Sequence, residues 1–140
     1  MTVKKVQIIS NNLRFGPMPR PDKEVEQHLT INDEGQVWFS RYRFGNGEER
    51  YPLIAEEYFQ ISEEEAAEIL RKSAEAIDPG LDCLAEDAGW FELVLTDDSG
   101  NVTKGTGALI YGENGFIKEL CDYIRSVLKR NDLLLMDGNI

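Results

Sequence analysis

Asp87-Ala-Gly-Trp-Phe-Glu-Leu-Val-Leu-Thr96 leads into Asp97-Asp-Ser-Gly-Asn101 and leaves through Val102-Thr-Lys-Gly-Thr-Gly-Ala-Leu-Ile-Tyr111. Phe91, Leu93 and Leu95 alternate with Glu92 and Thr96, the period-2 pattern of a half-buried strand. The five residues from Asp97 supply turn chemistry, and Gly100 suits a left-handed backbone position. The stretch is a β-hairpin, which defines scaffold without defining a task.

A similar hairpin lies 65 residues upstream. Gln27 to Ile31 enters Asn32-Asp-Glu-Gly-Gln36, and Val37 to Phe44 leaves it. Asn32–Val37 aligns with Asp97–Val102, each with an acid or amide first and a glycine fourth. Each hairpin is followed by an amphipathic helix, which suggests an internal half-repeat.

The first helix opens at Ser62 with Glu65 three positions on, a capping box. Glu63, Glu64 and Glu65 sit in its first turn, where carboxylates favour the macrodipole. Ala66, Ile69, Leu70, Ser73, Ala74 and Ile77 form one stripe, and Pro79-Gly80 ends the helix. The second helix spans Gly115 to about Arg130, with Phe116, Leu120, Ile124, Val127 and Leu128 directed inward.

Val3–Ile9 predicts a first strand. Pro17, Pro19 and Pro21 favour an extended surface crossing between Asn11 and Lys23, with a recognition arm as the alternative. Glu49 to Ile61 reads as another strand, and Pro52 places it at a sheet edge or begins it. Leu133–Met136 is either a last strand or a packed tail. Short connections between strands predict an α+β fold: a single antiparallel β-sheet with two amphipathic helices on one face. The 140 residues make one globular domain, spanning 1–140.

Leu29-Thr30-Ile31 through Trp38-Phe39-Ser40, Ile61-Ser62, Gly89-Trp90-Phe91-Glu92-Leu93 and Asp137-Gly138-Asn139 carry a resemblance. Across most of its length the chain resembles a loose group of small uncharacterised bacterial proteins. The resemblance implies this arrangement of strands and helices and no known activity, hence no catalytic residue.

Chemistry is sparse. His28 is the single histidine, and no nucleophile-histidine-acid spacing points to it. Cys83 and Cys121 read as reduced thiols, and one His with two scattered Cys excludes a zinc set. Asp97, Asp98, Ser99 and Asn101 lack the spacing of a calcium loop. Gly105 and Gly107 fall inside a strand pattern and imply a bulge or close packing against a helix or bulky ring, with Trp90 the candidate ring, while Gly45-Asn46-Gly47 lacks phosphate-loop spacing. The adjacent acids Glu56-Glu57 point to opposite faces of a strand. No cofactor or metal is expected.

Trp38-Phe39-Ser40-Arg41-Tyr42-Arg43-Phe44 is the most unusual segment. Trp38, Ser40, Tyr42 and Phe44 share one face, and Phe39, Arg41 and Arg43 the other. We expect the first row to face the helices as core, with the arginines paired to local acids. The alternative is an exposed aromatic row beside Arg41 and Arg43 that stacks bases or grips a partner.

The composition, 41% hydrophobic and 29% charged, is that of a globular protein, and no apolar run reaches the ~20 residues of a membrane span. The N-terminus lacks signal-peptide character, so a cytoplasmic location is expected. The net charge is −11, and residues 56–98 carry 14 acidic against 2 basic residues. That balance disfavours nucleic-acid phosphates and suits a basic protein partner. The expectation is a non-enzymatic module of inhibitor, immunity or regulatory type, with Glu63, Glu64 and Glu68 joining Trp38, Arg41, Tyr42 and Arg43 as candidate surface. A small-ligand site lined by Trp38, Tyr42 and an arginine is the alternative.

Overall fold

Seven strands and two helices make up the computed structural model, which describes residues 2–13, 19–45, 51–77, 82–83, 89–109 and 115–136. The elements are β1 (Val3–Asn11), β2 (Glu24–Asn32), β3 (Gln36–Arg43), β4 (Leu53–Gln60), α1 (Glu63–Ile77), β5 (Asp82–Cys83), β6 (Trp90–Asp97), β7 (Val102–Ala108) and α2 (Gly115–Leu128). Six strands pair antiparallel in the order β4-β3-β2-β1-β6-β7, and β5 adds two residues parallel to β7. The fold is therefore α+β, with β4 at an edge. The Pro79-Gly80 helix stop, Asn46-Gly47 and Asp137–Asn139 lie outside the described residues.

The two hairpin turns repeat one another atom for atom. Asn32 Oδ1 accepts from the amides of Glu34 (3.1 Å) and Gln36 (3.0 Å). Asp97 Oδ1 accepts from Ser99 (2.8 Å) and Asn101 (2.9 Å). Gly35 and Gly100 take φ of 81° and 84°, the left-handed region their positions require. Both turns also lean on the start of β1, Asp33 N donating to Lys4 O and Asp98 N to Thr2 O, each at 2.9 Å. β2 and β6 thus flank β1 in the same direction, and α1 and α2 follow their hairpins onto one face.

Alternation assigns the faces. Val6 and Ile8, Leu29 and Ile31, Val37 and Phe39, and Phe91, Leu93 and Leu95 are buried against Ile69, Leu70, Leu120 and Ile124 of the helices. The Ser62–Glu65 capping box forms in both directions, at 3.0 Å and 3.1 Å. Two details depart from expectation, and one open alternative is decided. The buried stripe of α2 is Ile117, Leu120, Cys121 and Ile124, while Phe116 in its first turn is exposed. Gly105 and Gly107 stand opposite Leu93 and Phe91 on the helix side, whereas Trp90 points to the other face and is not their packing ring. Leu133–Met136 is a packed tail: Leu133, Leu135 and Met136 are buried, and Ser10 Oγ donates to Leu135 O at 2.5 Å.

Candidate functional site

The face of the sheet opposite the helices carries no covering element among the described residues, and its β3–β4 corner is aromatic. Trp38 faces Tyr58 across the ladder, and their rings meet edge to face with centroids 5.9 Å apart. Trp38 is 41% exposed and Tyr58 55%. Tyr42 sits opposite Leu53, itself exposed, and its ring lies 4.7 Å from that of His28. Cross-strand register continues the surface in rows: Glu56–Ser40–His28–Ile9–Glu92, and beside it Tyr42–Glu26–Asn11–Trp90.

Carboxylates accompany the rings. Glu26 Oε2 lies 2.7 Å from His28 Nε2, so that ring nitrogen carries the hydrogen, and Asn11 Nδ2 donates to Oε1 at 3.0 Å. Partial burial pushes the Glu26 carboxyl up, but the bonds from His28 and Asn11 outweigh it and hold it below the usual range. Glu56 is exposed opposite Ser40 and makes no ion pair among the described residues. An aromatic patch edged with carboxylates attracts cations twice over, through ring quadrupoles and through charge.

The aromatic row therefore faces away from the helices, contrary to expectation, and Phe39 is the ring that enters the core. The cause is hairpin register. The turn at Gly35 pairs Ile31 with Val37, which sets Leu29 opposite Phe39 and Thr30 opposite Trp38. The apolar alternation of β2 then decides which side of β3 is inside. That signal was present in the sequence on the strand next door. Glu56, Tyr58 and Leu53 were harder to find, because an edge strand pairs on one side only and β4 shows no clean apolar alternation.

The other expected residues disperse. Arg41 lies on the helix side, its Nε donating to Glu24 at 2.8 Å, with Asp132 3.6 Å away. The Glu24 bond leads in raising the Arg41 pKa. Arg41 is thereby part of a clamp around Arg130, whose guanidinium grips Glu57 (2.8 and 3.1 Å) and Asp132 (2.6 and 2.9 Å) and lies over the rings of Phe39 and Phe59. Arg43 donates to the Pro21 carbonyl at 3.3 Å. Glu68 is engaged by Arg71 and Lys72 on its own helix, which leaves Glu63 and Glu64 as the exposed acids of the first turn of α1. Trp38 and Tyr42 share no pocket with Arg41, since they occupy opposite faces. Two cavities, of about 240 and 350 Å³, lie instead along the start of β1 against Ala74 of α1.

Among the described residues no three His, Cys, Asp or Glu side chains gather to hold a metal, and no helix is long and apolar enough to cross a membrane. No protein-family model matches the chain, and no curated protein matches it.

Proposed function

We propose that this chain is a non-enzymatic module that binds a basic protein partner through the open face of its sheet, centred on Trp38, Tyr42 and Tyr58. The observation that carries the reading is the exposure of Trp38 and Tyr58, with half-buried Tyr42 alongside, beside Glu56 and Glu26, with Arg41 committed to the opposite face. Trp and Tyr dominate binding energy at interfaces because they bury much area at low entropic cost. Phosphate ligands are disfavoured by the same carboxylates.

Ser40, His28 and Glu26 succeed one another on this face, an order that invites comparison with a hydrolytic triad. No hydrogen bond joins Ser40 to His28 among the described contacts, and the neighbouring backbone amides are spent on the ladder rather than on an oxyanion site. Binding is the better account of the surface.

The test is affinity capture from lysate at about 50 and 200 mM salt with the wild type and with Trp38→Ala, Glu56→Lys and the pair Glu63→Lys/Glu64→Lys. Loss of a captured basic protein with Trp38→Ala or Glu56→Lys is expected. Capture that survives both of these changes and depends on Glu63 and Glu64 alone would place the surface on α1 and refute the open-face reading.

A further inference from the structure

We infer that the partner supplies an extended basic segment that adds to the free edge of β4 as a further strand. The inference rests on the open-face reading and names the element that docks there. Among the described residues β4 pairs only with β3. The Ile61 amide donates to Gly35 O at 2.8 Å, and the register from that pair continues as Val37 with Phe59, Phe39 with Glu57, and Arg41 with Ala55. In an antiparallel ladder these alternate pairs are the hydrogen-bonded ones, so Glu56, Tyr58 and Gln60 direct their amides and carbonyls away from the sheet. The same residues present side chains on the open face, so an added strand meets bonding groups and aromatic surface together.

The edge protection of β4 is confined to its start. Pro52 precedes it, the ladder bulges at Ile54, and from Glu56 to Gln60 there is neither lysine nor proline. Glu57 is neutralised by Arg130, while Glu56, and beyond the strand end Glu63 and Glu64, make no ion pair among the described residues. A second copy of the chain offers the same strand, but its pairing would line one seam with both sets of these carboxylates and no cation. A segment with lysine or arginine opposite Glu56 and an apolar residue opposite Tyr58 fits on both counts.

The probe is an acetylated, amidated heptapeptide, Thr-Lys-Thr-Val-Thr-Lys-Thr, titrated into the full chain and followed by amide NMR and hydrogen exchange. Two controls accompany it: one with glutamates for both lysines, and one N-methylated at the two lysines and the valine. The expected result is exchange of the Glu56 and Tyr58 amides slowed at least about tenfold, binding at least tenfold weaker for each control, and reversed charge preference in Glu56→Lys. Equal binding of the N-methylated peptide, with Trp38 and Tyr42 resonances shifting but the two amides unprotected, overturns strand addition while leaving open-face binding intact. A concentration-dependent dimer that protects those amides without peptide overturns it in favour of self-pairing. No perturbation by the basic peptide at millimolar concentration also overturns it, and the Trp38-dependent capture experiment then decides the broader reading separately.

Discussion

Replacing Arg130 by alanine tests the clamp that seats the C-terminal segment on β2, β3 and β4. Arg130, Glu57 and Asp132 side chains are 20%, 34% and 39% exposed, so both ion pairs are screened and each contributes about 0.5–1 kcal/mol. The guanidinium over Phe39 and Phe59, at 5.4 and 5.5 Å, adds about 1 kcal/mol. The sum is roughly 2–3 kcal/mol, or a midpoint lowered by about 8–12 °C for a chain of this size. The Arg130 hydrogen bond holds the Glu57 carboxyl below its ordinary range, and likewise that of Asp132, in both cases against the opposing effect of burial. A depressed folded pKa stabilises the fold above the unfolded carboxylate values near ~4 and is lost as pH falls through the folded values. Urea unfolding should therefore give the full gap between wild type and Arg130→Ala at pH 7 and a smaller gap below about pH 4. Arg130→Lys, which keeps charge and loses the fork, should fall between them. A gap under about 0.5 kcal/mol at pH 7, within the range of ordinary surface changes, or one that does not narrow in acid, would refute the reasoning.

Three further outcomes follow from the same geometry. Gly100→Ala, with open space around a left-handed residue, should cost about 1 kcal/mol; Gly35→Ala, whose added carbon would stand 2.1 Å from the Ile61 carbonyl, should cost at least about 2 kcal/mol more in urea unfolding. Burial pushes the Asp97 carboxyl up, but amide bonds from Asn101 and Ser99 bring it below its ordinary value. Asp97→Asn should keep the turn, as Asn32 keeps its counterpart, and lessen the loss of thermal stability as pH drops below the unfolded carboxylate value. Trp38→Ala should change unfolding free energy by less than about 1 kcal/mol while abolishing partner capture, because an exposed ring contributes little to the core.

The hairpins, the capping box and the α+β class were legible because each rests on local chemistry. Gly35 and Gly100 take left-handed φ from their turn positions, Ser62 and Glu65 meet because they are one helical turn apart, and Pro52, which allowed an edge or a strand start, stands just before β4. Phe116 misled because a residue in a first helical turn shares the helical period whether or not anything covers it. The two-residue β5 is too short to carry a period at all.

The sequence by itself determined the longer strands, the two helices and the two hairpin turns, since those choices are made within a few residues. Tertiary structure decided the rest. β6 docked beside β1 rather than β4, and that placed both hairpins parallel and left β4 at an edge among the described residues. β3 is amphipathic in two ways, with a tryptophan on one face and a phenylalanine on the other, so its own pattern could not choose. The choice fell to Leu29 and Ile31 across the ladder, whose burial drew Phe39 inward and turned Trp38 and Tyr42 toward solvent.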